Sequence, residues 1–409
     1  MRTSIKDKLK EIIPEEKQPY IKRAFEIVGD IAITEIPQEL NEYQKEIGEA
    51  ILNTNPAIKT VLKKNDIHKG KFRTQELTYI AGENKKETIY KENNVKILLN
   101  PENTYFSPRL STEREIISKK IEENESICVM FSGVGPYSYV IAKKQPNIKN
   151  ITSIELNPNG HYYAVKNKET NKNILKNSQL YKTLKEFYKL NNIPFHDKQL
   201  LKNITELKLQ FYNEDMKKFK PKLPQEIKGL DKKKEILNLN NIINKQPSKI
   251  CEDIKNNYKK VYIDIDSIKE REIFIPYLIL FSHTHNFYFT FNEKTFICKN
   301  YEEKNVLLKV LENNKIKQIE DTIYFDRIIM PLPRDAHNFL DEALSLSKKN
   351  TTIHMYDFIH ESEYPQETEN KILEAGKKNN RLIEIIETRK VGQYSPGKYR
   401  VCCDFKILE

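Results

Sequence analysis

The stretch from Ile127 to Pro158 constrains this chain more than any other. ICVMF is a short apolar run, SGVGP is a glycine turn, YSYVIAKK reads as a helix, and ITSIELNP is a second apolar run ending on a carboxylate and a turn. Strand, glycine turn, helix, strand is the opening unit of a doubly wound α/β domain, because neighbouring parallel strands are joined only through a crossover. Gly133 and Gly135 lack a Cβ, so the backbone there is able to approach a ligand, with the N–H groups of a helix start nearby. Glu155 ends the second run, where a carboxylate accepts both hydroxyls of a ribose. A glycine turn alone is a weak signal, and a strand-end Glu is often simply solvated. The pair points to a ribose-bearing cofactor. No Lys-Ser/Thr follows the turn, which argues against a phosphate loop.

The rest of the chain supplies the remainder of such a domain. YFDRIIMPLP, a helix at HNFLDEALSLSKK, a strand at TTIHMYDF and the tail RLIEIIETRKVGQYSPGKYRVCCDFKIL complete the sheet. The last two β-prone runs flank a Ser-Pro-Gly turn and predict a closing antiparallel hairpin. Residues 1–100 read as a separate small α+β domain. It has a strand over Phe25–Ile36, an amphipathic helix in LNEYQKEIGEAILN, and short β-prone pieces punctuated by Gly82, Asn93 and Asn94. FSPRLSTEREIISKKI begins irregular and turns helical after Ser111, a favourable N-cap. The expected organisation is thus a small RNA-binding or substrate domain over 1–100 and a Rossmann-like domain over 101–409. The latter carries an insertion at about 217–321 and a smaller expansion between Leu175 and Lys202. The first half of the insertion is rich in Lys, Asn and Pro; its second half, YLILFSHTHNFYFTFNEKTFICKN, is aromatic and β-prone.

At 409 residues the chain exceeds one ordinary domain. No apolar run is long enough to span a bilayer, and the N-terminus mixes both charge signs without an apolar stretch, so neither a membrane span nor a signal peptide is expected. Lys and Arg number 69 against 58 Asp and Glu, a formal charge of +11. That balance suits a polyanionic partner such as RNA, although an Asn-, Lys- and Ile-rich composition accounts for part of it. Five scattered Cys form no CxxC pair, which fits a reducing cytoplasm and argues against structural zinc. His283 and His285 share a face if their run is a strand, but no further ligands flank them, and no metal is expected. Asp215 follows a third apolar run, LKLQFY. It lies either beside an adenine amino group or exposed in a loop, and spacing does not decide between these.

YFSPRLSTER, FSGVGPYS, IELNP, IMPLPRDAHNFLDEAL, IHMYDF and RKVGQYSPGKYRVCCDF, in that order, resemble the archaeal and eukaryotic tRNA (guanine-37-N1)-methyltransferases, as does the N-terminal block with FEIVGDIAITEIP and KFRTQEL. The resemblance covers most of the chain outside the two insertions. It implies a class I methyltransferase using S-adenosyl-L-methionine on the anticodon stem-loop of tRNA, with no protein partner. By it, Glu113 is the general base for guanine N1, and Arg73 steadies charge on the guanine oxygen. Tyr105, Arg109 and Arg114 fall on the substrate side. Gly133, Gly135, Pro136, Glu155, Asp215, Pro331, Leu332 and Pro333 fall on the cofactor side. A related wyosine-pathway enzyme transfers an aminocarboxypropyl group on the same fold; Pro136 after the glycine turn favours methyl transfer. Other readings are methylation of a wyosine intermediate and a tRNA-binding relative without catalysis. This sequence departs from the family pattern at Val129, where an acid is usual, and at Pro331, where Asn is usual. It also begins where the family's second domain begins, so the small domain that checks the tRNA corner is expected to be missing.

Overall fold

The computed structural model describes residues 5–22, 24–65, 70–190, 196–219, 324–332 and 334–409, with short strands at 236–237, 261–264, 287–291 and 294–298. Pro333, His283, His285 and nearly all of the basic segment 217–249 lie outside the described residues. The chain forms two compact units. One comprises Met1–Leu175, Lys208–Phe219 and Phe325–Glu409; the other comprises Lys176–Leu207 and Lys220–Tyr324.

The first unit opens with a four-stranded sheet, order β1 (Phe25–Val28), β2 (Ile31–Thr34), β3 (Thr60–Lys64), β4 (Leu77–Gly82). Its core joins Leu9, in helix α1 (Ile5–Lys10), to Leu40, Ala32 and Val61, and to Ile51 of α2 (Gln44–Leu52). The single strand expected over 25–36 is a hairpin. Gly29 sits at φ +61, and Asp30 is fixed by Thr88 and Lys85, so the chain reverses there. A second hairpin, β5 (Thr88–Glu92) and β6 (Val95–Leu99), turns at Asn93 and Asn94, both in the left-handed region that Asn tolerates. The free edge of β6 is satisfied by side chains. Asn167 of α5 (Pro158–Thr170) pairs with both backbone groups of Leu98, and Asn171 pairs with those of Lys96. Two Asn amides thereby take the place of a missing strand.

The main sheet has seven strands in the order β16 (Ile383–Ser395), β17 (Lys398–Ile407), β15 (Ser347–His360), β14 (Phe325–Met330), β7 (Ser126–Met130), β8 (Asn150–Glu155), β9 (Leu209–Asn213). All neighbours are parallel except β17, which is antiparallel to both β15 and β16. Every residue of β7 is buried, as its uninterrupted apolar sequence demands of a central parallel strand. The glycine turn leads from β7 into α4 (Pro136–Lys144); α8 (Leu340–Ser345) and α9 (Gln366–Lys378) make the later crossovers. The tail hairpin turns at Gly397, φ +69. Helix α3 (Ser111–Lys119) differs from expectation at its start: Ser111 is already helical, Leu110 is the N-cap, and a 3-10 turn over Pro108–Leu110 leads in. Pro108 begins that turn ahead of the serine, so the Ser111 hydroxyl is not used as a cap.

In the second unit, α6 (Gln179–Leu190) and α7 (Asp197–Lys208) are linked by a Lys185–Asp197 ion pair of 2.9 Å. A four-stranded sheet has the order β10 (Ile236–Leu237), β11 (Val261–Asp264), β12 (Phe287–Phe291), β13 (Lys294–Cys298). The β12–β13 hairpin falls in the aromatic half of the insertion. No helix among the described residues is long and apolar enough to cross a membrane.

Candidate active site

A cavity of about 620 Å³ opens where β7, β8 and β14 end. Ligands bind at the carboxyl ends of strands in doubly wound sheets because the crossover loops converge there. Gly133 (φ +55) and Gly135 (φ +81) form the turn; a Cβ on Gly135 would come within 3.0 Å of the Phe211 ring. Glu155 leaves β8 facing this turn. Its Oε2 accepts the Gly133 N–H at 2.6 Å and its Oε1 accepts the Asn157 N–H at 2.7 Å. Burial raises the Glu155 carboxyl above the usual range against those backbone bonds. Gly160 makes room for the carboxylate, since a Cβ there would sit 3.0 Å from the Glu155 Cγ. The Ser132 Oγ, on the cavity wall, is buried without a hydrogen-bond partner. A carboxylate, an unused hydroxyl and open backbone suit the hydroxyls of a ribose. Pro136, Pro331 and Leu332 add apolar walls, and Phe131 packs edge-on against Phe339 at 4.8 Å.

Asp215 is not part of this wall. It closes a turn by accepting the Lys217 N–H at 3.1 Å and faces Lys71 at 3.6 Å. Lys217 does reach the wall, with its ammonium 5.4 Å from the centre of the Phe339 ring.

The other candidates divide. Arg73, in the left-handed region at φ +51, lines the cavity and pairs with Asp335 at 2.9 Å. Tyr105 also lines it, whereas Arg109 is exposed and does not line it. Arg114 touches the wall, but its guanidinium makes a bidentate pair with buried Glu92, both bonds 2.5 Å, and donates to the Ser107 carbonyl. That geometry ties α3 to the β5–β6 hairpin and leaves little of Arg114 for a substrate. Glu113 is buried behind the wall rather than in it. Its Oε1 accepts the Tyr356 hydroxyl at 2.7 Å and a bond from Arg389.

Behind Glu113 runs a buried polar network. Arg389 pairs with Asp404 at 2.8 Å; Asp404 also holds Lys120 at 2.6 Å and His354 at 2.7 Å; His354 meets Arg327, which is paired with Glu125. Burial alone would raise the Asp404 carboxyl, yet the bonds from His354 and Lys120 and the charge of Arg389 hold it well below the usual range. His354, Cys402 and Asp404 cluster closely enough to hold a metal. Arg389, Lys120 and His354 already share that acidic charge, so the cluster is an ion network rather than a vacant ligand set.

Sequence reasoning did not single out Asp335, Asn338, Tyr356 or Arg389. All four lie inside the motifs quoted above, DAHNF, IHMYDF and TRKVGQY. The partners of Asp335, Tyr356 and Arg389 lie far off in the sequence, in Arg73, Tyr137 and Glu113, so spacing within a motif does not mark them.

Comparison with known proteins places these elements. Residues 88–212 and 292–385 match the family described as TRM5/TYW2 methyltransferase domain, and residues 5–85 match the TYW2 N-terminal domain. The tRNA (guanine(37)-N(1))-methyltransferase Trm5b of Pyrococcus abyssi is 42% identical over 160 residues, 39% of this chain and 48% of that protein. The tRNA (guanine(37)-N(1))/4-demethylwyosine(37)-methyltransferase Taw22 of Nanoarchaeum equitans is 28% identical over 385 residues, 94% of this chain and 100% of that one. The crystal structure of the P. abyssi Trm5b superposes with a TM-score of 0.55 at 25% identity, covering 97% of this chain and 78% of that one. The alignment with the Pyrococcus sequence thus spans about half the length of that relative.

Proposed function

The chain belongs to the TRM5/TYW2 methyltransferase family, and on that premise we propose that it transfers the methyl group of S-adenosylmethionine to N1 of the guanosine at tRNA position 37. The observation that carries this reading is one cavity lined both by a ribose-ready Glu155 with its glycine turn and by Arg73. S-adenosylmethionine supplies an electrophilic methyl group on a sulfonium. The protein's part is to bind it and to prepare the nucleophile. Glu155, the Gly133 turn and Ser132 are the groups for the cofactor's ribose; Pro136, Pro331 and Leu332 flank them. Guanine N1 carries a proton and is a weak nucleophile, so the reaction needs a base and a cation for the oxygen that gains charge. Glu113 is the base in this reading, and Arg73, oriented by Asp335, is the cation. With Pro331 in place of the family's Asn, Asn338 on the same wall is the amide available to orient the guanine. Arg114 braces α3 beneath these groups. The partner is the anticodon stem-loop of tRNA, met by a basic chain, and the compartment is the cytoplasm.

The dual name of the Nanoarchaeum relative favours a second reading, C-methylation of 4-demethylwyosine at the same position. One experiment separates the two. Tritiated-methyl cofactor is supplied with a G37 transcript, an A37 transcript and tRNA bearing 4-demethylwyosine. Label on G37 alone supports the first reading. Label on the demethylwyosine tRNA alone supports the second and overturns the first.

A further inference from the structure

Glu113, the base in the reading above, does not line the cavity, whereas Tyr137 does. The two are joined by an unbroken line of hydroxyls. Tyr137 donates to the Tyr356 hydroxyl at 3.0 Å, and Tyr356 donates to the Glu113 Oε1 at 2.7 Å. Both bonds point toward the carboxylate, and all three side chains are buried. Arg389 holds that same Oε1 from the far side, so the acceptor cannot swing away without breaking an ion pair.

We propose that Tyr137 and Tyr356 relay the guanine N1 proton from the cavity wall to Glu113, so that the base acts through two tyrosines rather than by direct contact. This rests on methyl transfer to guanine N1 as the reaction. The step balances. The N1 lone pair takes the methyl carbon, and the carbon–sulfur bond breaks with its electrons left on sulfur. The N1 proton passes to the Tyr137 oxygen, the Tyr137 proton to Tyr356, and the Tyr356 proton to Glu113, which becomes a neutral acid. Each tyrosine gains one proton as it loses another, so neither is charged at any point. Burial raises both phenols above their usual range, which keeps them neutral. A phenolic oxygen donates and accepts at the same atom, so it can take one proton as it gives up another, which the donor-only arginine cannot do. Tyr137 is the residue placed to meet the substrate; Tyr356 acts through it.

Single-turnover methylation of a G37 transcript, with cofactor and tRNA saturating, tests the relay. Tyr137→Phe and Tyr356→Phe should each slow methyl transfer by roughly 10²–10⁴-fold, the range for loss of general-base catalysis. Affinities for S-adenosylmethionine and tRNA should stay within about threefold. Members of one relay act as a unit, so adding either change to Glu113→Gln should slow the reaction by less than about threefold more. Wild-type enzyme in mixtures of light and heavy water should give a bowed proton inventory, from several protons in flight, and this readout does not depend on any variant folding. Either Tyr→Phe variant within about threefold of wild type, full multiplicative loss on the Glu113→Gln background, or a linear inventory would overturn the relay alone. No transfer to G37 by wild-type enzyme would overturn the relay together with the reading it rests on.

Discussion

Replacing Glu155 with Ala removes the carboxylate from the cavity and leaves both glycines of the turn in place. The structure sets the size of the effect. Glu155 already takes backbone N–H groups, from Gly133 at 2.6 Å on one oxygen and from Asn157 at 2.7 Å on the other, and its remaining acceptor capacity is what two ribose hydroxyls would use. A hydrogen bond to a charged group contributes about 1.5–3 kcal/mol. Two such bonds to neighbouring hydroxyls are not fully additive, so their joint loss should cost about 2–4 kcal/mol. The N–H groups stripped of an acceptor are stripped in both free and bound enzyme, and to first order they drop out of the difference. The expected weakening of S-adenosylmethionine binding is therefore roughly 30-fold to nearly 1000-fold. Isothermal titration of the cofactor measures it directly. Glu155→Gln keeps the shape and one acceptor and should fall between Ala and wild type. An Ala variant that binds within about threefold of wild type would refute the assignment of Glu155 to the ribose.

Three further outcomes are expected, two from buried ion pairs and one from the charge of the basic segment. Arg114→Ala leaves Glu92 buried and unpaired and should destabilise the fold by about 3–5 kcal/mol in urea unfolding; a loss under about 1 kcal/mol would show that the pair is not structural. The Asp404 carboxyl is held below its unfolded value of about 3.9, so its contribution to stability is full above about pH 5 and is lost as pH falls toward the folded value. Asp404→Asn should flatten the acid limb of a stability-against-pH curve, and an unchanged limb would contradict the network. Replacing residues 220–249 with a short Gly/Ser linker should weaken tRNA binding and leave cofactor affinity unchanged. The slope of log affinity against log salt should flatten by about 0.9 for each phosphate that the segment had neutralised. Unchanged tRNA affinity and slope would make that basic segment passive.

The sheet was legible because central parallel strands are buried on both faces and so carry short apolar runs: ICVMF is one throughout, and ITSIE and FDRIIM keep enough Ile, Met and Phe to read as strands. The glycine turn and Glu155 were legible for a related reason, since their roles follow from backbone conformation and strand end, which sequence encodes locally. Local misreadings came from local causes. Gly29 broke a run that looked like one strand, and Pro108 advanced a helix start past the serine expected to cap it. The substrate side was less legible because its contacts are long-range. Arg114 looks like a surface charge beside Glu113 until Glu92 arrives from a hairpin 22 residues earlier. Arg389 reaches Glu113 across 276 residues of sequence, and Tyr356 across 243. No periodicity within α3 foretells either partner. Asp215 stayed open in the sequence for want of any such partner, and in the structure it sits just behind the cavity wall, paired with Lys71, a residue that does line it.

In the proposed reaction this cavity places a methyl group on N1 of guanosine 37. The most direct measurement is nucleoside mapping by mass spectrometry of an unmodified G37 tRNA transcript after incubation with enzyme and S-adenosylmethionine. The expected result is 1-methylguanosine in the fragment that contains position 37, and its loss in Glu113→Gln. A transcript recovered without added methyl mass at position 37, or with the methyl on a different atom or nucleotide, would contradict it.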